Sequence, residues 1–277
     1  MDDGDVVAVK GARIPKIGCG TWELRGETCA DIVAEALAVG FRHIDTAQGY
    51  SNEEAVGEGI RRSKVPRGEV FITTKVRPQL LGAGVLQESA EASLRRLKVD
   101  VIDLLLVHWP NPEIDLTETM HALADARRRG LTRHIGVSNF TIAHLEKAMA
   151  AISEPLVAAQ IEYHPYLEQA RLIAAIRKHG LAITAYCPIA LGKAARDERL
   201  VEIGRRHGKT AAQVALRWLV QQDGVIAIPR TSNRKRLKEN FDVFDFRLTK
   251  QEMDQISQMT VPNSRLINEP QWVPHWD

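Results

Sequence analysis

The chain has 277 residues, a hydrophobic fraction of 44%, a charged fraction of 26% and a formal net charge of +2. That length accommodates one (β/α)8 barrel of roughly 250 residues, and the composition is that of a globular protein with a large core. The nearly balanced charge excludes a strong pull toward nucleic acid or an anionic membrane, and a monomer is expected in the absence of any oligomeric signal.

Val6 to Ile14, with a Lys-Gly-Ala centre, reads as a small hairpin closing the floor of a barrel. Eight short apolar runs follow: Lys16–Gly20, Phe41–Ile44, Val70–Thr74, Ile102–Val107, Ile135–Val137, Ala158–Ile161, Ala182–Ala185 and Val225–Ile228. Their Ile, Val and Leu content suits strands buried on both faces. Amphipathic helices separate them. The first opens on a capping-box-like Thr28 and Asp31 and closes at Gly40. Others are expected at Glu53–Arg62, Leu86–Leu97, Thr117–Arg129, Thr141–Ala150, Glu168–His179, Thr210–Gln222 and Ser232–Phe241, with two extra helices at Asp197–His207 and Thr249–Met259. Eight strand–helix units in series favour a closed parallel α/β barrel, the TIM-barrel class, over an open doubly wound sheet, although period alone does not separate the two. No Pro/Gly/Ser-rich linker interrupts the chain, so residues 1–277 read as a single domain.

No apolar run reaches the length of a membrane span, and the acidic opening MDDGDVVAVKGARIP lacks the layout of a secretory signal. A cytoplasmic location is expected. Cys19, Cys29 and Cys187 are odd in number and show no C-x-x-C spacing, so reduced thiols are expected rather than disulfides or a metal site.

In barrels of this kind the chemistry sits at the C-terminal ends of the strands. Read in order, those ends carry Thr21-Trp22, Asp45, Lys75, His108-Trp109, Ser138-Asn139, Gln160, Tyr186 and Pro229-Arg230. Chains leaving a sheet turn polar anyway, so no single residue is informative. The combination is: Asp45 and Lys75 are costly to bury singly and tolerable as a pair. Tyr50, close by, completes an acid–base set for carbonyl reduction. Hydride arrives from a nicotinamide, and the developing alkoxide needs a proton and nearby positive charge. Lys75 is expected to lower the Tyr50 pKa toward working pH, Asp45 to hold Lys75, and His108 to donate to the carbonyl oxygen. Ser138, Asn139 and Gln160 are the right types to hold a carboxamide, and Tyr186 offers a face for the nicotinamide ring. Thr21 and Trp22 are placed beside the cofactor. The pocket walls are expected from Trp22, Tyr50, Arg77, His108 and Trp109, with Trp272 or Trp276 from the tail.

The stretch IPRTSNRKRLKENF puts Arg230, Arg234, Lys235, Arg236 and Lys238 around a helix start. Cations conflict with the positive N-terminal end of a helix, and a bound phosphate would resolve the conflict. The 2′-phosphate of NADPH is the favoured anion; a solvated basic face is the alternative. Familiar nucleotide and hydrolase motifs fail: Glu23 breaks the glycine fingerprint begun by Gly18-Cys19-Gly20, Gly208-Lys209-Thr210 lacks its upstream glycine, and no H-E-x-x-H occurs.

The segments GFRHIDTAQGYSNEEAVG, ITTKV, LLLVHWP, GVSNF, QIEYHPYL and IPRTSNRKRLKEN, in this order, resemble the motifs of the aldo-keto reductases, most of all the bacterial 2,5-diketo-D-gluconic acid reductases. The resemblance covers nearly the whole chain. It implies a catalytic tetrad of Asp45, Tyr50, Lys75 and His108, carboxamide contacts from Ser138, Asn139 and Gln160, and Tyr186 under the ring. It further implies that Arg230, Thr231, Ser232 and Arg236 hold the adenosine phosphate, with Glu239 and Asn240 near the adenine, and that NADPH binds without a Rossmann fold. Three positions depart from the family pattern. Arg230 stands where Lys is usual, Arg77 lies near a common aromatic pocket position, and Ala159 replaces a frequent Asn. The short segment Ile189 to Arg196 implies a weaker clamp over the cofactor. The expected activity is NADPH-dependent reduction of small aldehydes and ketones, methylglyoxal-like or 2,5-diketo-gluconate-like. The alternative is a nicotinamide-sensing regulatory subunit on the same fold.

Overall fold

The computed structural model describes residues 5–277. Strands β1 (Val6–Val9) and β2 (Ala12–Pro15) pair antiparallel as the expected hairpin. Lys10 and Gly11 both take positive φ, the two-residue turn whose twist matches the flanking strands.

Eight further strands form one parallel sheet: β3 (Cys19–Gly20), β4 (His43–Asp45), β5 (Phe71–Val76), β6 (Ile102–Val107), β7 (Thr132–Ser138), β8 (Leu156–Glu162), β9 (Ala182–Tyr186) and β10 (Val225–Ala227). Each lies beside its neighbours in the chain, without the order reversal of a doubly wound sheet. The two end strands are bonded to each other. Gly18 N donates to Ala227 O at 2.9 Å, Ala227 N to Lys16 O at 2.8 Å and Gly20 N to Pro229 O at 3.0 Å. A Cβ on Gly20 would stand 2.8 Å from Ile228 O, so this seam needs glycine.

Alternation along each strand divides the core in two. Leu105, Val107, Ile183 and Val225 join the large cluster that includes the helices. Leu104, Leu106, Ala182 and Ile226 face the other way and pack with Val7, Ala12 and Ile14 of the hairpin, which plugs that side. The helices are α1 (Gly26–Val39), α2 (Glu53–Ser63), α3 (Val85–Leu97), α4 (Leu116–Arg128), α5 (Ile142–Ala151), α6 (Ala170–Lys178), α7 (Glu198–His207), α8 (Ala211–Gln221), α9 (Arg234–Phe241) and α10 (Lys250–Ser257). The two extra helices of the sequence reading are α7 and α10. Among the described residues, no helix is long and apolar enough to cross a membrane.

Several helix starts differ from expectation by one or two residues, and those of α1 and α9 bear on the mouth of the barrel. Helix α1 begins at Gly26 without a side-chain cap, and Thr28 lies inside it. Its entry loop is held from a distance instead: Asn52 Nδ2 donates to Thr21 O at 2.8 Å and Leu24 O at 3.0 Å. Helix α9 is capped by Asn233 rather than started at Ser232, with Asn233 Oδ1 accepting from Lys235 N at 2.9 Å.

Buried His43 carries a consequence for stability. Burial lowers its pKa from 6.5 to about 4. The unfolded chain therefore takes up a proton between those values that the folded chain refuses, so stability falls as pH drops from 6.5 toward 4. Between pH 6.5 and 5 the loss is about 2 kcal/mol. Urea unfolding of wild type and His43→Asn at both pH values isolates this contribution, and an equal pH response in the two proteins would refute it.

Candidate active site

Asp45 ends β4, Lys75 lies near the end of β5, and His108 follows β6. Because these strands are parallel neighbours in register, the three side chains converge at one mouth. Tyr50 is added by a single 3-10 turn, Gln48–Tyr50. Arg77 steadies that turn, donating from Nη2 to Gln48 O at 2.7 Å and to Ser51 Oγ at 3.0 Å. Arg25 also donates to Tyr50 O.

Lys75 is fully buried. Its Nζ donates to Asp45 Oδ1 at 2.5 Å, Thr46 O at 2.8 Å and Tyr50 Oη at 3.3 Å. All three ammonium protons thus have an acceptor. The second Asp45 oxygen accepts from Gln160 Nε2 at 2.7 Å. His108 meets the Tyr50 ring edge-on, with centroids 5.7 Å apart.

The electrostatics follow from this packing. Burial alone would lower the Lys75 pKa, but Asp45 and Tyr50 together hold it above its ordinary value. His108 is driven well below 6.5 by burial and then by the cations of Lys75 and Arg77, so its ring is neutral at pH 7. Tyr50 corrects the sequence reading. Burial pushes the phenol above its ordinary value, and Lys75 recovers only part of that rise. At neutral pH Tyr50 therefore holds its proton.

A cavity of about 790 Å³ opens over this set. Thr21, Trp22, Asp45, Tyr50, Arg77, His108, Trp109, Ser138, Asn139, Gln160 and Tyr186 line it, as do Arg230, Thr231, Ser232, Arg236 and Trp272. Lys75 sits behind Tyr50, outside the lining. Glu239 and Asn240 do not reach the cavity, and Trp276 packs behind Trp109 at 6.1 Å.

Asn139 takes positive φ, which asparagine tolerates. Its amide is engaged within the protein, donating to His108 O at 2.9 Å and Ser138 Oγ at 3.1 Å while accepting from Tyr186 Oη at 2.7 Å. The Ser138 hydroxyl proton and Gln160 Oε1 are the groups left to meet an amide ligand. The basic cluster also divides. Arg234 pairs with Asp31 at 2.7 Å and Lys238 with Asp242 at 2.7 Å. Arg230 Nε donates to Trp22 O at 2.9 Å, while among the described residues no carboxylate pairs with Lys235 or Arg236.

Ile189 and Leu191, in the segment read as a clamp over the cofactor, also line the cavity, whereas Cys187 after β9 and Ile267 and Glu269 in the tail escaped the sequence reading. Backbone strain marks the stretch after β9, since Cys187, Ala190 and Leu191 all have positive φ. Glu162 was also missed. The signal was an acid closing the apolar run before Tyr163, and its role is taken up below.

The aldo/keto reductase family model matches residues 16–260. The chain is 41% identical over 267 residues to the methylglyoxal reductase DkgB of Escherichia coli O157:H7, covering 95% of this chain and 99% of that protein. A crystal structure carrying the provisional name 2,5-diketo-D-gluconic acid reductase B aligns with a TM-score of 0.97 at 45% identity, over 99% of each chain. A variant of Gox0644 in complex with NADPH aligns with a TM-score of 0.89 at 38% identity, over 96% of this chain and 97% of that one. With the family model matching residues 16–260 and its length matched almost end to end, the chain belongs to the aldo/keto reductase family, oxidoreductases that act on carbonyl groups.

Proposed function

We propose that this chain, one domain on a closed (β/α)8 barrel, reduces small aldehydes and ketones with NADPH, using Tyr50 as general acid. The carrying observation is Lys75, buried and within hydrogen-bond reach of both Asp45 and Tyr50. A lysine placed only for stability would need Asp45 alone.

When bound, a nicotinamide coenzyme supplies the hydride. Tyr50 gives its Oη proton to the oxygen of the reduced carbonyl. Lys75 stabilises the tyrosinate left behind, and a proton from solvent restores Tyr50. Asp45 keeps Lys75 charged and fixed. Neutral His108 donates one hydrogen bond to the carbonyl oxygen and sets its direction. The donor set suits such a coenzyme: Tyr186 for the ring face, and Ser138 and Gln160 for the carboxamide. Arg230, Thr231, Ser232 and Arg236 suit a phosphate beside the N-terminus of α9, with Glu239 and Asn240 on the adenine side. A sensing subunit would have no use for a proton donor backed by a buried cation.

Purified protein mixed with NADPH and methylglyoxal or 2,5-diketo-gluconate is expected to consume the reduced coenzyme, read by its absorbance. No consumption across a broad carbonyl panel would refute the proposal. In the same assay Arg236→Ala is expected to raise the NADPH KM about tenfold or more, the size of one charge-assisted hydrogen bond, and the NADH KM much less. Equal losses with the two coenzymes would remove the phosphate role of the cluster.

A further inference from the structure

Part of the cavity wall comes from residues 261–277, a segment without helix or strand. A segment that carries no ladder of its own must be held by something else. Glu162, the last residue of β8, is fully buried and does not itself line the cavity. Its Oε1 accepts from Leu266 N at 2.7 Å and from His164 Nε2 at 3.0 Å, and its Oε2 accepts from Ile267 N at 2.9 Å. His164 Nδ1 accepts from Tyr166 N at 3.3 Å, which leaves the ring proton on Nε2, facing Glu162. Two further bonds fasten the approach: Val261 N donates to Tyr166 O at 2.9 Å and Ser264 Oγ to the same oxygen at 2.5 Å.

Beyond this anchor the segment turns over the mouth. Ile267 and Trp272 line the cavity. The Arg265 guanidinium stacks 3.6 Å from the Trp276 ring centroid, and Trp276 in turn packs on Trp109. Asp277 Oδ2 accepts from Ile142 N at 2.8 Å at the start of α5.

We infer that Glu162 is a positioning residue for carbonyl binding: its carboxylate fixes the backbone at Leu266 and Ile267, and so sets Ile267 and Trp272 as one wall of the pocket. The inference rests on the reductase reading for the identity of the ligand. The requirement for a carboxylate is geometric. Both oxygens face N–H groups, so an acceptor is needed on each side. An isosteric amide presents its own NH2 to one of those donors and leaves at least one buried N–H unsatisfied.

The test uses full-length protein and two variants that break the anchor from opposite sides. Glu162→Gln spoils the acceptor. Leu266→Pro removes one donor at an exposed residue, so it reports even if the buried variant fails to fold. Two readouts are taken: chymotrypsin cleavage after Trp272, and steady-state kinetics with 4-nitrobenzaldehyde at saturating NADPH. Both variants are expected to be cut about tenfold faster after Trp272, and to raise KM for the aldehyde about tenfold with kcat little changed. Adding Glu162→Gln to Trp272→Ala is expected to cost less than Glu162→Gln alone, because the wall residue it positions is already gone. A fall in kcat at constant KM, full additivity with Trp272→Ala, or unchanged cleavage would overturn the inference. The cleavage arm needs no turnover. Faster cutting in a protein that reduces no carbonyl would therefore refute the reductase reading and leave the anchor standing.

Discussion

Tyr50→Phe is expected to lower carbonyl reduction by about 10²- to 10⁴-fold at pH 7, the usual contribution of a positioned general acid. NADPH affinity, measured by fluorescence titration, should stay within about twofold, a difference below one neutral hydrogen bond. The ring is retained, so its edge contact with His108 survives. What is lost is the proton that Tyr50 Oη offers, together with the bond its oxygen accepts from Lys75 Nζ. The pH dependence sharpens the test. Burial holds Tyr50 above its ordinary value and His108 far below 6.5, so neither group titrates near neutrality. Wild-type kcat should therefore be flat across neutral pH and fall only on the alkaline side, as Tyr50 loses its proton. In Tyr50→Phe that alkaline limb should disappear. A variant that keeps wild-type turnover would assign the proton to another group.

The second large effect concerns the buried pair. Lys75→Met is expected to abolish measurable reduction and to destabilise the protein by about 3–5 kcal/mol, because Asp45 is left as an uncompensated buried charge. Asp45 would keep only its bond from Gln160. The double variant Asp45→Asn/Lys75→Met removes both charges. It should regain most of the lost stability in urea unfolding while remaining inactive. This split separates the two jobs of the pair. Recovery of activity with recovery of stability would show that the ion pair serves the fold alone.

The eight strands were visible in the sequence because both of their faces are buried, which leaves runs of Ile, Val and Leu with little interruption. Boundaries were less visible where burial and pairing part company. Phe41 reads as strand, but its ring packs on Phe241 and the ladder of β4 begins at His43. Strand β7 starts three residues before the apolar run, at Thr132. Polar residues are tolerated there because Arg133 meets Asp103 at 3.2 Å and the Thr132 hydroxyl bonds the backbone of Ile102. The site was legible for a related reason. Strand ends are defined by topology, so the residues that follow the runs converge without any knowledge of the loops. The direction of the Tyr50 shift was not legible, since it depends on how completely the mouth is walled. Nor was the anchor at Glu162, because its partners lie more than a hundred positions away in a segment with no periodicity of its own.

The seam between Gly20 and Arg230 gives the fold a further property. Every other joint in the sheet links neighbours in sequence, but this one links the start of the sheet to its end, across nearly the whole chain. Contacts at such separation carry the largest loop-closure entropy. Arg230, one of the residues proposed to meet the coenzyme phosphate, sits on this joint and already grips the carbonyl of Trp22 on the other side. Under the proposed reading, a coenzyme phosphate held by Arg230 would rest against both edges of this seam, and its binding would stabilise the joined form by mass action. The first and last strands would then be held together more firmly the more coenzyme is bound.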